Sequence, residues 1–207
     1  KNKITIVNDK EFNPNQLNKY LKQNDNLGWS PFLYVYNWSN GKGGGWDKFV
    51  EKIGKAPVVY DPEQVDNSIS NIENHLEYLG YYGSDVQSEI RVRKKMVNVT
   101  YNVTLGKRFQ IKDITLVLPE RGEFREAFLS DTSAMGVRAG DFLAEQSLET
   151  ESETLAASMR NKGFYDFSKN HFFFEADTLT DPGYALLEMK VEEYTRNETP
   201  KDAGPIR

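Results

Sequence analysis

The sequence contains two segments that follow the same plan, and this internal repeat constrains the fold more than any other feature. A helix-type run ends at Leu79-Gly80-Tyr81-Tyr82 and leads into two strand-type segments, and a second run ends at Lys162-Gly163-Phe164-Tyr165 and does the same. The two glycines lie 83 residues apart. This spacing is too long for a solenoid repeat of about 20 to 50 residues and suits a small domain. We therefore expect two domains of one kind.

Composition excludes several classes of protein. The 207 residues carry a net charge of −5 with acidic and basic residues interspersed, so there is no basic stripe for a phosphate backbone and we expect no nucleic-acid partner. No apolar run approaches the roughly 18 residues of a membrane span, and any targeting or membrane region is expected outside this sequence. The absence of cysteine excludes disulfides, thiolate metal sites and a cysteine nucleophile.

The first repeat begins with a short strand and two helices. Ile4 and Ile6 alternate with polar residues, and Asn13-Pro14 then offers an N-cap followed by proline at the first helical position. Asp61 is the expected N-cap of the longer helix. Its apolar residues step by three or four, which predicts one buried stripe: Val65, Ile69, Ile72, Leu76 and Leu79. Gly80 is the expected left-handed C-cap.

Two strands complete the first repeat. A segment through Val86, Ile90 and Val92 turns at 93–95 into a second strand. That second strand alternates between an apolar set (Val97, Val99, Tyr101, Val103, Leu105) and a polar set (Asn98, Thr100, Asn102, Thr104). Such alternation is typical of an antiparallel hairpin covered on one side. Residues 28–58 fit neither period and are interpreted as an aromatic and glycine-rich insertion.

The second repeat follows the same order. A strand from Phe109 to Leu118 precedes a short helix at 124–129, and a longer helix buries Leu148, Ser152, Leu155 and Met159 before Gly163 caps it. We expect an aromatic strand at 164–174, a turn at Asp181-Pro182-Gly183 and a last strand at 184–191. Residues 195–207 are expected to be a polar linker or tail. Four glutamates of the longer helix are interpreted as its solvated side: Glu145, Glu149, Glu151 and Glu153.

The order of strand, helix, helix, strand, strand, with a glycine-aromatic junction after the second helix, resembles the polypeptide-transport-associated (POTRA) domain. The segment 103–111, which passes from one strand through Gly106 and Lys107 into the next, is similar to the junction between tandem POTRA domains. The resemblance implies an α+β fold of two β-α-α-β-β domains, each a three-stranded mixed sheet covered on one face by two helices. The expected domains are 1–106 and 107–194, with Gly106 and Lys107 as a hinge of limited flexibility.

The resemblance also implies a location and partners. POTRA domains form the periplasmic arm of outer-membrane assembly factors of the BamA and TamA kind, and the insertion with its exit at Gly54-Lys55-Ala56-Pro57-Val58 resembles the branch found in Bacteroidetes. We therefore expect a periplasmic, non-enzymatic scaffold without cofactor or metal. Its expected partners are unfolded outer-membrane polypeptides and proteins of the assembly machinery, ahead of a C-terminal membrane β-barrel.

In a domain of this order the first strand can pair with the last, which leaves the fourth element at a sheet edge. An exposed edge can accept an extended polypeptide through main-chain hydrogen bonds. The expected edge residues are Val86, Ser88, Ile90 and Val92 in the first domain and Ser168, Asn170, Phe172 and Phe174 in the second. The second edge is favoured because its phenylalanines add apolar contacts, although alternate phenylalanines also have to fill the domain core.

Two other functions are also compatible with the sequence. A two-partner secretion transporter also carries two such domains. The tryptophans of the insertion (Trp29, Trp38, Trp46) suit either a glycan-binding surface or a small core of their own, and the second is favoured. The run 41–45 lacks the Gly-Lys-Ser/Thr ending of a phosphate-binding loop. His75 and His171 stand alone on different elements, so neither predicts catalysis.

Overall fold

The computed structural model describes residues 1–23, 25, 59–93, 96–120, 122–130, 132 and 135–192. The predicted insertion at 28–58 with its tryptophans, the turn residues Lys94 and Lys95, and the predicted tail at 195–207 lie outside the described residues.

The described chain contains six strands and three α-helices. The strands are β1 (Asn2–Ile6), β2 (Asp85–Arg93), β3 (Met96–Thr104), β4 (Gln110–Val117), β5 (Phe172–Asp177) and β6 (Tyr184–Val191). The α-helices are α1 (Pro62–Tyr78), α2 (Glu123–Leu129) and α3 (Glu145–Asn161), and two 3-10 helices span Pro14–Tyr20 and Lys169–His171. They divide into two compact units. The first unit is Lys1–Leu76 with Gly83–Gly106, and the second is Glu77–Tyr82 with Lys107–Arg207.

The first unit is built on a three-stranded mixed sheet with the order β1-β3-β2. β1 runs parallel to β3, and β2 runs antiparallel to it. The alternation predicted for β3 is present, since Val99, Tyr101 and Val103 are buried while Asn98 and Thr104 are exposed. One face of the sheet is therefore buried, and β2 lies at an edge as expected.

Local signals in the sequence explain the helices of the first unit. Asp61 accepts a hydrogen bond from the backbone N–H of Glu63 at the start of α1. The buried side of α1 comprises Val65, Ser68, Ile72 and Leu76. The earlier helix is a 3-10 helix, in which Asn13 accepts a hydrogen bond from the N–H of Asn15. Asparagine competes for backbone hydrogen bonds, which favours such a short, tight turn over an α-helix.

The second unit repeats this topology in a sheet with the order β4-β6-β5. β4 is parallel to β6 with an irregularity between Ile111 and Asp113, and β5 is antiparallel to β6. β6 alternates strictly between exposed and buried residues. The fold class expected from the sequence is confirmed: the protein is α+β, with two mixed three-stranded sheets among its described residues.

Aromatic side chains dominate the core of the second unit. Phe128 and Phe167 are fully buried, and Phe124 packs edge-on against Phe164 with ring centroids 5.3 Å apart. Leu155, Ala156 and Met159 of α3 complete the same cluster together with residues of β6. This stripe on α3 has the predicted helical spacing. The helices therefore bury one face of the sheet.

The strand predicted at 164–174 is wrong in its first half, because β5 begins only at Phe172. The backbone N–H of Phe167 donates to the carbonyl of Phe164 at 3.0 Å, and the N–H of Ser168 donates to the ring of His171 at 3.2 Å. These local hydrogen bonds turn the chain and compete with a β-ladder. Ser168 and Asn170 consequently lie outside the edge strand.

Candidate functional site

The outer edge of β2 carries main-chain groups that do not pair with β3. The N–H of Val86 donates to the carboxylate of Glu73 at 3.1 Å. Val103 lies opposite Val86 on β3, and its carbonyl accepts from the N–H of Val7 at 2.9 Å. Val86 and Val103 are therefore a pair without mutual hydrogen bonds. Because such pairs alternate along an antiparallel ladder, the outward-facing groups of β2 lie on the four residues expected from the sequence: Val86, Ser88, Ile90 and Val92.

This edge is protected at one end and open at the other. The N–H of Val86 is already bound to Glu73, and its side chain is buried. Ile90 and Val92 oppose Val99 and Val97 of β3, yet their side chains are 45% and 70% exposed. An apolar and accessible stretch of edge strand therefore remains near the tip of the hairpin.

The outer edge of β5 has the same arrangement. The N–H of Glu192 donates to the carbonyl of His171 at 2.9 Å, which makes this a hydrogen-bonded position of the β5–β6 pair. The alternation then directs the main-chain groups of Phe172, Phe174 and Ala176 away from β6. In the described part of the chain, no strand pairs with this side of β5.

The side chains of β5 divide between the core and the surface. Phe172 is buried in the core cluster, and Phe174 is partly buried against it. Phe173 is 47% exposed on the other face of the sheet, opposite Lys190. The predicted apolar contacts from Phe172 and Phe174 are therefore used by the core, whereas Phe173 is available at the surface.

The opposite edge of this sheet is covered at its start. The N–H of Ile111 donates to the carbonyl of Asp141 at 2.8 Å, and the N–H of Gly140 donates back to the carbonyl of Ile111 at 2.8 Å. The N–H of Leu143 donates to the carbonyl of Phe109 at 2.8 Å. This short ribbon occupies the beginning of β4, which leaves β5 as the more accessible edge of the second unit.

The two glycines predicted as helix caps both have left-handed backbones, with φ of +87° at Gly80 and +99° at Gly163. Their surroundings differ. A Cβ on Gly80 would overlap the carbonyl oxygen of Leu143, within the second unit, whereas a Cβ on Gly163 would meet nothing within 4 Å. Gly80 is therefore required for both its backbone conformation and the space that it leaves.

Gly106 and Lys107, the predicted hinge, lie where the first unit ends and the second resumes. The N–H of Gly106 donates to the hydroxyl of Ser84 at 2.9 Å. Lys107 exchanges two backbone hydrogen bonds with Tyr82, each of 2.9 Å.

The electrostatics near the open edge involve surface carboxylates. Asp177, at the end of β5, accepts hydrogen bonds from the hydroxyl of Thr180 and from two backbone N–H groups, and these lower its pKa.

Lys169, which precedes β5, forms ion pairs with two carboxylates of α3. Its Nζ lies 2.6 Å from Oε1 of Glu149 and 2.8 Å from Oε1 of Glu153. Its hydrogen bonds to these two carboxylates raise the pKa of Lys169, and the bond from Lys169 is the main cause of the lowered pKa of Glu149.

Glu151 corrects the interpretation of α3. Unlike Glu145 and Glu153, it is 5% exposed, and its carboxylate accepts hydrogen bonds from the N–H groups of Gly136 and Val137. The assignment of Glu151 to the solvated side of the helix is therefore wrong. A sequence signal for this existed, because Glu151 stands three residues after Leu148 and four before Leu155, on the buried stripe.

The described residues contain no group of three or more His, Cys, Asp or Glu side chains placed to hold a metal ion. None of their helices is long and apolar enough to cross a membrane.

The geometry of the first unit agrees with a comparison to known families. A sequence model of the POTRA family, described as a surface antigen variable number repeat, matches residues 2–106. The chain belongs to the POTRA family. The match covers β1, α1, β2 and β3, so the edge strand β2 is part of a POTRA domain. No curated protein matches the chain.

Solved structures similar to this POTRA chain include two BamA proteins and one Omp85 protein. POTRA domains 3–5 of Haemophilus influenzae BamA share 11% identity and a TM-score of 0.47, over 92% of this chain and 64% of that one. BamA from Haemophilus ducreyi lacking POTRA domains 1–3 shares 13% identity and a TM-score of 0.39, over 84% of this chain and 29% of that one. POTRA domains 1–2 of the periplasmic domain of Anabaena Omp85 share 13% identity and a TM-score of 0.38, over 94% of each chain.

Proposed function

We propose that this protein is the periplasmic POTRA region of an outer-membrane β-barrel assembly or translocation factor, and that it binds unfolded outer-membrane polypeptides by strand addition at β5. Membership of the POTRA family supports the first part of the proposal. The full-length protein would carry a C-terminal membrane β-barrel. In this role the POTRA region is a scaffold that positions clients and assembly partners, without chemistry of its own.

The observation that carries the proposed binding is the open edge of β5. Phe172, Phe174 and Ala176 direct main-chain donors and acceptors outward, and the opposite edge of the sheet begins under the ribbon at 140–143. A client strand would gain main-chain hydrogen bonds that do not depend on its sequence. Phe173, exposed beside this edge, would add apolar contact. The tip of β2 offers a second, shorter edge of the same kind.

Ala176 allows a direct test, because its N–H points outward and its side chain is exposed. Ala176→Pro removes that donor without removing a ladder bond to β6, which an edge strand tolerates. Ala176→Val retains the donor and serves as the matched control. Peptides from β-barrel strands are titrated into the ¹⁵N-labelled protein, with a neutral oligosaccharide mixture in parallel.

The expected result is a set of peptide-dependent shifts at residues 172–177, with affinity reduced about fivefold or more by the proline and little by the valine. Equal affinities for the two variants would refute strand addition at β5. Shifts with the oligosaccharides alone would instead favour a glycan-binding protein.

A further inference from the structure

The second sheet carries acidic side chains on its exposed face, directly beside the open edge of β5. The strict alternation of β6 places Glu188 on this face, between residues that are buried on the other. The register of the two strands places Glu175 of β5 opposite Glu188. Phe173 and Asp177 lie two residues away on either side along β5, and both are exposed. Two of the three exposed side chains that β5 presents on this face are therefore carboxylates.

Glu175 and Glu188 form a pair of like charges across the two strands. Like charges directly opposite each other in a sheet lower its stability. Within the described residues, neither carboxylate has an ion pair or a hydrogen bond. Lys190, the cation of β6 on this face, lies two residues farther along and opposite Phe173. Glu175 therefore has a like charge on one side and an open sheet edge on the other.

A cavity of about 340 Å³ lies beside the same residues, and its lining comes from all three strands of the sheet. Thr115 of β4, opposite Glu188, forms one side of it. Leu186, which is 39% exposed, adds apolar surface. Long cationic side chains bury their methylene stems on apolar surface and hold the charge among polar groups. The cavity therefore suits a lysine or arginine side chain that reaches it from the edge of β5.

A strand added to β5 would bring its side chains close to these charges. The residues on either side of Glu175 direct their main-chain groups outward, so Glu175 would form a non-hydrogen-bonded pair with an antiparallel client. The two Cα atoms of such a pair are about 4.5 Å apart, closer than in a hydrogen-bonded pair. Glu188 and Lys190 would lie one strand farther away, by about 4.8 Å. Glu175 and Asp177 therefore dominate the charge that a client side chain meets.

We propose that the strand accepted at β5 is basic and amphipathic, with lysine or arginine opposite Glu175 and Asp177 and with apolar residues between them. The apolar residues face the helix side of the sheet, beside the partly buried ring of Phe174. The cation opposite Glu175 occupies the cavity and offsets the repulsion between Glu175 and Glu188. This inference rests on the proposed strand addition and names the class of client. An acidic strand would meet the same carboxylates with like charge.

Three capped peptides that differ only in charge test the proposal. They are Ac-Thr-Val-Lys-Val-Lys-Val-Thr-NH2 and the versions with glutamine or glutamate in place of both lysines. Each is titrated into the ¹⁵N-labelled protein, and the signals of residues 172–177 are followed. The lysine peptide is expected to bind about fivefold more tightly than the glutamine peptide, and the glutamate peptide about fivefold more weakly. Both differences should shrink when NaCl is raised from about 50 mM to about 500 mM.

Two variants locate the preference. Glu175→Gln should reduce the preference for lysine over glutamine to about twofold or less. Its affinity for the glutamine peptide should stay unchanged, because the main-chain hydrogen bonds are retained. Glu126→Gln removes the same charge from an exposed position on α2 and is the matched control, which should keep the full preference. An equal loss in the two variants would trace the preference to the net charge of the protein and overturn the proposal.

The outcomes separate the client class from the strand addition on which it rests. Shifts at 172–177 with equal affinities for the three peptides would leave strand addition standing and refute the basic client. A lysine preference that persists in Glu175→Gln would refute it as well. Absence of shifts at 172–177 with every peptide would refute strand addition and the client class together. Ala176→Pro, which removes a main-chain donor, should weaken all three peptides alike.

Discussion

The backbone N–H of Gly136 donates to Oε2 of Glu151 at 2.9 Å. This bond ties the loop that precedes the ribbon at 140–143 to the middle of α3. The N–H of Val137 donates to the same oxygen. A Cβ on Gly136 would lie 2.9 Å from Oε2, so the absence of a side chain lets the carboxylate approach the backbone. One buried glutamate therefore organises a segment that has no regular secondary structure.

Glu151→Ala is expected to lower the free energy of unfolding of the second unit by about 2 kcal/mol, because two N–H groups lose a charged acceptor and a buried side chain is removed. Urea titration followed by NMR signals of residues in β6 would measure it. Glu153→Ala removes the same side chain from the exposed side of α3 and should change the free energy of unfolding by less than about 0.5 kcal/mol. Equal effects of the two substitutions would contradict the role assigned to Glu151.

Substitution of the two helix-capping glycines by alanine is expected to lower the free energy of unfolding by different amounts. Gly163→Ala should cost about 1 kcal/mol, since only the left-handed backbone is penalised. Gly80→Ala should cost about 3 kcal/mol, because the new methyl group also meets the carbonyl of Leu143. Denaturant unfolding of both variants measures the difference, and a Gly163→Ala variant as unstable as Gly80→Ala would show that the contact with Leu143 is unimportant.

Two phenylalanines of the second unit lie in different environments, Phe128 in the core and Phe173 at the surface. Phe128→Ala removes a fully buried ring and should destabilise the unit by about 4 kcal/mol. Phe173→Ala removes an exposed ring and should cost less than about 1 kcal/mol, while weakening the binding of a β-barrel peptide at β5. Thermal unfolding and the peptide titration give the two readouts. A large loss of stability in Phe173→Ala would place that ring in the core instead.

The pKa of Asp177 is expected to lie below its ordinary value of about 3.9, mainly because the hydroxyl of Thr180 donates to the carboxylate. A folded-state pKa below the unfolded one stabilises the protein above pH 3.9, and this contribution is lost as the pH falls through the folded pKa. Thr180→Val should raise the pKa of Asp177, and Thr180→Ser should leave it nearly unchanged. Carbonyl ¹³C titration measures both, and an unaltered pKa in Thr180→Val would rule out the hydroxyl as the main cause.

Most of the fold could be predicted because its signals are local. The alternation in β3, the stripe on α1 and the glycines after α1 and α3 each follow from backbone geometry within a few residues. The start of β5 at Phe172 could not be predicted, because the sequence at 164–171 also suits a strand. Whether that segment forms a strand or a turn depends on hydrogen bonds between neighbouring side chains and backbone. Phe164 and Phe167 are buried whereas Tyr165 is 75% exposed, so the aromatic content of the segment did not determine its conformation.

The candidate site was predicted in part. The alternate residues of β2 were identified from the sequence, and the register of β2 on β3 gives them outward main-chain groups. In β5 the residues Ser168 and Asn170 were misplaced, and Ala176 was not identified, because its outward N–H belongs to the backbone and follows from the register of β5 on β6. Glu151 was missed because acidic residues usually face solvent, and its burial depends on the two N–H groups that the loop brings to it.

The sequence by itself determined the tandem plan, the α+β class, the order of the elements and the faces that they bury, because the periodicity of apolar residues and the glycine caps act locally. Tertiary structure alone decided which sheet edge is open, which phenylalanine is exposed and where an acidic residue is buried. Those outcomes depend on contacts between segments far apart in the chain, such as the ribbon on β4 and the loop over α3, and a pattern within one segment carries no information about them.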